Sequence, residues 1–145
     1  MARIAILTTF QEFNEWYSLT GIVRDQVRML TEYGNEVFLF VNEKFNDKKN
    51  LFNDNPHCTI VKQIPFAHLH DYQAEEPLTE EHEKTALAMS SMLLNTLTEF
   101  KIDTVFTHDL VFTGWNKPYA IGMQHLQGIL LNIAWMHWIH SIPSR

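Results

Sequence analysis

Histidine and carboxylate side chains follow two apolar segments of this sequence. The last apolar run ends in "AWMHWIHSIPSR", which carries His137 and His140, and an earlier run ends in "THDL", which carries His108 and Asp109. A neutral imidazole can hold a hydroxyl group in reactive geometry without becoming a nucleophile itself. At the end of a strand, a histidine can deliver this function to a cleft or can serve only as a structural hydrogen-bonding group. Both interpretations stay open for His137.

The spacing of the last two histidines predicts different orientations for their side chains. His140 follows His137 by three residues, so it faces the other way if the strand continues, and the same way only if a helical turn begins. We therefore expect His137 in the site and His140 away from it.

A metal site is the alternative use of these side chains. The eight histidines include "HLHD" at 68–71, "HD" at 108–109 and "HWIH" at 137–140, which could be assembled into a zinc or iron site. None of these segments matches a spacing with known metal chemistry, such as H-E-x-x-H. The sequence therefore predicts no metal, and "HLHD" is expected to be a solvated or hydrogen-bonded loop.

Aromatic side chains accompany the polar ones. Trp16 and Tyr17 follow the first apolar run, together with Phe10 and Phe13, and Trp115 follows "THDL". Aromatic rings beside amide and carboxylate groups suit sugar rings, whose C–H faces stack while the hydroxyls form hydrogen bonds. The alternative, equally open, is a loop that packs its own aromatic rings as a small core.

An anion site is predicted at Thr20 and Gly21, where the first helix begins. Unpaired N–H groups at a helix N-terminus can receive a phosphate or a carboxylate. Otherwise Thr20 or Ser18 only caps the helix. The sequence contains neither the dinucleotide fingerprint G-x-G-x-x-G nor a P-loop.

The elements that must position these residues alternate between strand and helix. Short apolar runs predict strands, and apolar stripes at helical spacing predict helices, the second of which is capped by Thr79. The strands are predicted at 3–9, 36–41, 58–63, 102–107 and 131–137, and the helices at 20–33, from 79 to 100, and at 118–127. This alternation predicts one α/β domain over 1–145, a Rossmann-like parallel sheet sandwiched by helices, with the third strand near an edge. Ligands of such sheets bind beyond the carboxyl ends of the strands.

Composition limits the function further. The net charge is −6 and the 11 Lys and Arg residues are scattered, which argues against a nucleic-acid partner. One cysteine fits a reducing compartment, and the N-terminus lacks the features of a signal peptide. No apolar run approaches the roughly 18 residues of a membrane span. We expect a cytoplasmic protein.

Three segments, in this order and spacing, resemble the retaining GT-B glycosyltransferases of family 4. The segment "RIAILTTFQEFNEWYSLTGIVRDQVRMLTEYGNEVFLFVNE" is similar to the family's opening, where Gly21 matches the second glycine of a Gly-Gly pair and Thr20 replaces the first. The segment "IDTVFTHDLVFTGWNKPYA" is similar to its "D-hydrophobic-hydrophobic-H-x-H-D" segment, of which His108 and Asp109 match the closing pair. In "NIAWMHWIHS", His137 falls on the histidine that reaches the reacting sugar, and Trp138 replaces the common acidic residue.

The resemblance implies the N-terminal, acceptor-side domain of a GT-B enzyme that transfers a sugar from a nucleotide-sugar donor to an acceptor. In the intact enzyme, His137 would contact the donor sugar, and Thr20 and Gly21 would approach the diphosphate. The acceptor pocket would be shaped by Trp16, Tyr17, His108, Asp109 and Trp115. It implies no metal and no cofactor.

The resemblance also implies a C-terminal donor domain, outside these 145 residues or on a partner subunit. We therefore expect the isolated chain to be inactive and to self-associate or require that partner. The alternatives are a non-catalytic sugar- or anion-binding module and one subunit of a split glycosyltransferase. A flavodoxin-like module is disfavoured because the sequence has neither a flavin phosphate loop nor the acidic cluster and strand-end lysine of signalling domains.

Overall fold

A computed structural model describes residues 1–48, 52, 54–66, 77–110 and 116–140. Within these residues, five strands and three helices occur within a few residues of the predicted positions. In chain order they are β1 (Arg3–Leu7), α1 (Ser18–Glu32), β2 (Glu36–Asn42), β3 (Cys58–Ile64), α2 (Glu80–Glu99), β4 (Thr104–His108), α3 (Lys117–Ile129) and β5 (Ala134–Trp138).

All five strands are parallel and lie in the order β3-β2-β1-β4-β5. The predicted α/β Rossmann-like fold is confirmed, as is the edge position of β3. The chain builds outward from β1 to β3 and then returns to the other side of β1 with β4. The strand order therefore reverses between β1 and β4, and a parallel sheet opens a crevice at the carboxyl ends of its strands beside such a reversal.

The two faces of the sheet are covered by different helices. On one face, Val23 and Val27 of α1 are buried against apolar residues of β1 and β2, such as Ile6 and Leu39. On the other face, α2 and α3 pack on the alternate residues of the same strands, such as Leu7. Successive residues of a strand point to opposite faces, so each strand end offers one side chain to each helical layer.

The helix ends agree only partly with the sequence. Thr79 caps α2 as predicted: its hydroxyl accepts the His82 N–H at 3.2 Å, and His82 Nδ1 accepts the Thr79 N–H at 3.2 Å. The expectation that Ser18 or Thr20 caps α1 is wrong. The N-cap of α1 is Tyr17, which makes no side-chain capping bond, and Ser18 is already helical.

The loop after β1 packs several of its aromatic rings into the protein. Phe10 and Phe13 are buried, and the ring of Phe13 lies 4.8 Å from that of Phe45 and 4.4 Å from that of Phe52. The small-core alternative is therefore correct for Phe10 and Phe13. No helix in the described ranges is both long enough and apolar enough to cross a membrane.

Candidate functional site

A cluster of polar and aromatic side chains lies where β4 and β5 end, on the face covered by α1. Its centre is His108, which is only 2% exposed. His108 Nε2 lies 2.8 Å from Oε1 of Gln26, and His108 Nδ1 lies 2.8 Å from Nε2 of His140. We call Gln26, His108, Asp109, Trp138 and His140 the histidine cluster.

The buried imidazole of His108 is held neutral. Burial lowers the pKa of His108 to about 4, the neighbouring His140 lowers it as well, and Asp109 acts in the opposite direction. Gln26 is also buried, in the apolar stripe of α1 between Val23 and Val27. A buried amide and a buried imidazole each need a hydrogen-bonding partner, and the two supply one another.

Asp109 connects the ends of the two strands. Its backbone has a φ of 54°, in the left-handed region that Asp tolerates better than most residues. In this conformation its N–H donates to the Trp138 carbonyl at 2.9 Å, and its Oδ1 accepts the backbone N–H of His140 at 2.6 Å. Burial, and secondarily the negative charge of Asp109, raises the pKa of Tyr17. Tyr17 therefore lies close enough to Asp109 to be affected by its charge.

The expectation that His140 lies away from the site is wrong. β5 ends at Trp138, so the alternation that would have turned His140 away no longer applies. The ring of His140 lies parallel to that of His108, at 5.1 Å and 10°, and near that of Trp138, at 6.1 Å and 23°. Sequence reasoning also missed Gln26, although an amide inside an apolar helical stripe was a usable signal.

His137 lies on the opposite face of the sheet from the histidine cluster. In the β4–β5 register His137 is beside Thr107, whereas His108 is beside Trp138. His137 Nδ1 lies 2.7 Å from the Thr107 hydroxyl, and His137 Nε2 lies 3.0 Å from the Gln127 amide nitrogen. Partial burial lowers the pKa of His137. Both ring nitrogens thus have protein partners, and the structure does not bring His137 together with His108 and Asp109.

The structure also separates Thr20 and Gly21 from the histidine cluster. The Thr20 N–H donates to the Tyr17 carbonyl at 3.0 Å, so the expectation that it is free is wrong. Thr20 lies six residues before Gln26, about 120° away around the helix. Its hydroxyl is buried and has no hydrogen-bonding partner in the described part of the chain.

Gly21 lies on the outward side of the first turn of α1. A Cβ atom at Gly21 would meet no atom within 4 Å. Packing therefore does not require a glycine at this position, and a ligand or another chain could approach the backbone closely.

The two candidate rings next to the N-cap of α1 differ in environment. Trp16 is 94% exposed. Tyr17 is half-buried, with its ring 6.5 Å from that of Phe10 and perpendicular to it. Trp115 and "HLHD" at 68–71 lie outside the described residues.

A concave region lies on the face covered by α2. This cavity of about 350 Å³ is lined by Glu43, Gln63, Glu81, Lys84, Met89 and Met92, among others. Its lining combines apolar and charged side chains, and it contains none of the residues of the histidine cluster. Among residues 1–48, 52, 54–66, 77–110 and 116–140, no group of three or more His, Cys, Asp or Glu side chains could hold a metal ion.

No family model matches the chain, and no curated protein matches it either.

Proposed function

We propose that this chain is the N-terminal, acceptor-side domain of a retaining glycosyltransferase that takes a sugar from a nucleotide-sugar donor. The observation that carries the proposal is the position of His108 and Asp109 at the carboxyl end of β4, next to the reversal of strand order, with Tyr17 close enough that its pKa is raised by burial and also by the charge of Asp109. His108 and Asp109 belong to the second segment that resembles family 4, and Tyr17 belongs to the first.

The acceptor would bind at the histidine cluster. The Asp109 carboxylate and the Tyr17 hydroxyl are suited to hydrogen bonds with sugar hydroxyls, and the exposed indole of Trp16 offers a face for a sugar ring. Trp115 stays a candidate for the same pocket on the basis of the resemblance. Neither a metal nor a cofactor is part of the proposal.

The donor diphosphate would approach the first turn of α1 at Gly21. The positive end of the helix dipole favours an anion there, and the open space over Gly21 allows close contact. His137 is the candidate for the donor sugar in the intact enzyme. To bind a sugar hydroxyl, its Nε2 would exchange the Gln127 amide for that hydroxyl. The remaining donor contacts would come from a C-terminal domain or a partner subunit.

The test compares two glycine substitutions. Gly21 and Gly128 both lie in helices, and a Cβ atom at either would meet nothing within 4 Å. Gly21→Ala and Gly128→Ala should therefore each stabilise the protein by about 0.5–1 kcal/mol. We expect only Gly21→Ala to weaken binding of UDP-glucose or GDP-mannose, by about tenfold, in saturation-transfer NMR. Equal binding by the two variants would contradict the diphosphate site.

A non-catalytic sugar-binding module is the second candidate, and the contacts of His137 favour it. Both ring nitrogens of His137 already have protein partners. A binding module would hold a methyl glycoside as tightly as the corresponding nucleotide-sugar. A glycosyltransferase domain should prefer the nucleotide-sugar, so the ratio of the two affinities distinguishes the candidates.

A further inference from the structure

The hydrogen bonds of the histidine cluster have a defined direction. Gln26 presents Oε1 to His108, and a carbonyl oxygen only accepts, so the proton of His108 is on Nε2. Because His108 is neutral, its Nδ1 carries a lone pair and accepts a hydrogen bond from the Nε2–H of His140. The amide of Gln26 therefore determines the tautomer of His140, two side chains away.

This chain of hydrogen bonds leaves one nitrogen of His140 with a lone pair. When its single ring proton is on Nε2, His140 has an unprotonated Nδ1, which makes no hydrogen bond within the described residues. Two further contacts fix the ring: the backbone N–H of His140 is held by Asp109, and the ring lies parallel to those of His108 and Trp138. His140 is exposed, so a ligand can reach it.

We propose that His140 binds a sugar hydroxyl through Nδ1, and that Gln26 and His108 are positioning residues that hold His140 in the accepting tautomer. The ligand class is a saccharide, because an accepting imidazole beside the Asp109 carboxylate and the half-exposed Trp138 indole matches the hydroxyls and the C–H face of a sugar ring. The inference rests on the proposed sugar site, but it needs neither a nucleotide nor a transfer reaction.

The first experiment needs no ligand. Long-range ¹H–¹⁵N correlation spectra of the ¹⁵N-histidine-labelled protein report which ring nitrogen of each neutral histidine carries the proton. We expect His140 to be protonated on Nε2 alone. Gln26→Met removes the accepting oxygen, and it should convert His140 to a mixture of tautomers. A mixture already present in the unsubstituted protein would overturn the positioning role.

The second experiment measures binding of methyl α-glucoside and methyl α-mannoside by NMR titration. His140→Ala should weaken binding of the preferred glycoside by about tenfold, and Gln26→Met by several-fold. His125→Ala, another exposed histidine, is the matched control and should leave binding unchanged. Because His140 is exposed, its substitution should preserve the fold even if Gln26→Met does not.

The outcomes separate this inference from the proposed function. If His140→Ala weakens glycoside binding while UDP-glucose and GDP-mannose bind no better than the glycosides, the His140 assignment holds and the glycosyltransferase proposal fails. If the nucleotide-sugars are preferred but His140→Ala leaves glycoside binding intact, the assignment fails alone. An absence of any glycoside binding overturns the His140 assignment as well.

Discussion

His108 is the buried residue whose protonation has the clearest consequence for stability. Its pKa falls from about 6.5 in the unfolded chain to about 4 in the folded protein, because burial disfavours the charged imidazole. Between these values the unfolded chain binds a proton that the folded protein does not. The contribution of neutral His108 is therefore complete above about pH 6.5 and is lost as the pH falls toward 4.

We expect the free energy of unfolding to fall by up to about 1.4 kcal/mol per pH unit on acidification across this window because of His108. His137, whose pKa is also lowered, contributes in the same direction. Urea denaturation at several pH values measures the slope. His108→Asn should flatten it and His125→Ala should not. A slope unchanged by His108→Asn would show that His108 is not held neutral by the fold.

The residues of the site could be predicted from the sequence only in part. His108 and Asp109 were found because a polar pair directly follows an apolar strand. His140 was missed because its position depends on where β5 ends and on the left-handed backbone of Asp109, which binds the His140 N–H. The alternation of side chains applies only within a strand. It therefore cannot predict the position of a residue that lies beyond the end of the strand.

Gly122 lies at the contact between α2 and α3. The carbonyl of Gly122 accepts the Ser90 hydroxyl at 3.1 Å, and a Cβ atom at Gly122 would collide with the Met89 methyl and approach the Ala86 carbonyl oxygen at 3.3 Å. Gly122 thus allows the two helices to approach closely, whereas Gly128, six residues later in α3, faces open space.

Replacing glycine by alanine in α3 should therefore have opposite effects on stability at Gly122 and at Gly128. Gly128→Ala should raise the free energy of unfolding by about 0.5–1 kcal/mol through helix propensity. Gly122→Ala should lower it by about 1–3 kcal/mol, because the added methyl group must displace Met89 and crowd backbone. Chemical denaturation of the two variants measures both. Stabilisation by Gly122→Ala would mean that the α2–α3 contact is looser than the structure indicates.

The elements were more predictable than the site. Runs such as "RIAIL" and "EVFLFV" are apolar after their first residue because strands covered on both faces need no alternation. β5 departs from this rule: every second residue is exposed, and the strand begins at Ala134 rather than at the predicted 131. Its apolar sequence resembles that of a strand covered on both faces, but in the described structure only the face toward α3 is covered.

The two edge strands of the sheet, β3 and β5, differ in charge. β3 carries Lys62, and charged side chains on an edge strand oppose association with another chain. β5 has no Lys, Arg, Asp or Glu, and on its outer face Met136 is 48% exposed. An uncharged, partly apolar edge favours contact with a second copy or with another domain.

We therefore expect the protein to self-associate through β5, and Met136→Lys to weaken this association by at least tenfold, because the new ammonium group would be buried in the contact. Met29→Lys is the matched control: Met29 is 49% exposed, but on the outer side of α1, so its substitution should leave the association unchanged. Sedimentation velocity over a hundredfold range of protein concentration measures the dissociation constants. If the unsubstituted protein stays monomeric across that range, or if both lysine variants weaken association equally, β5 is not the contact surface.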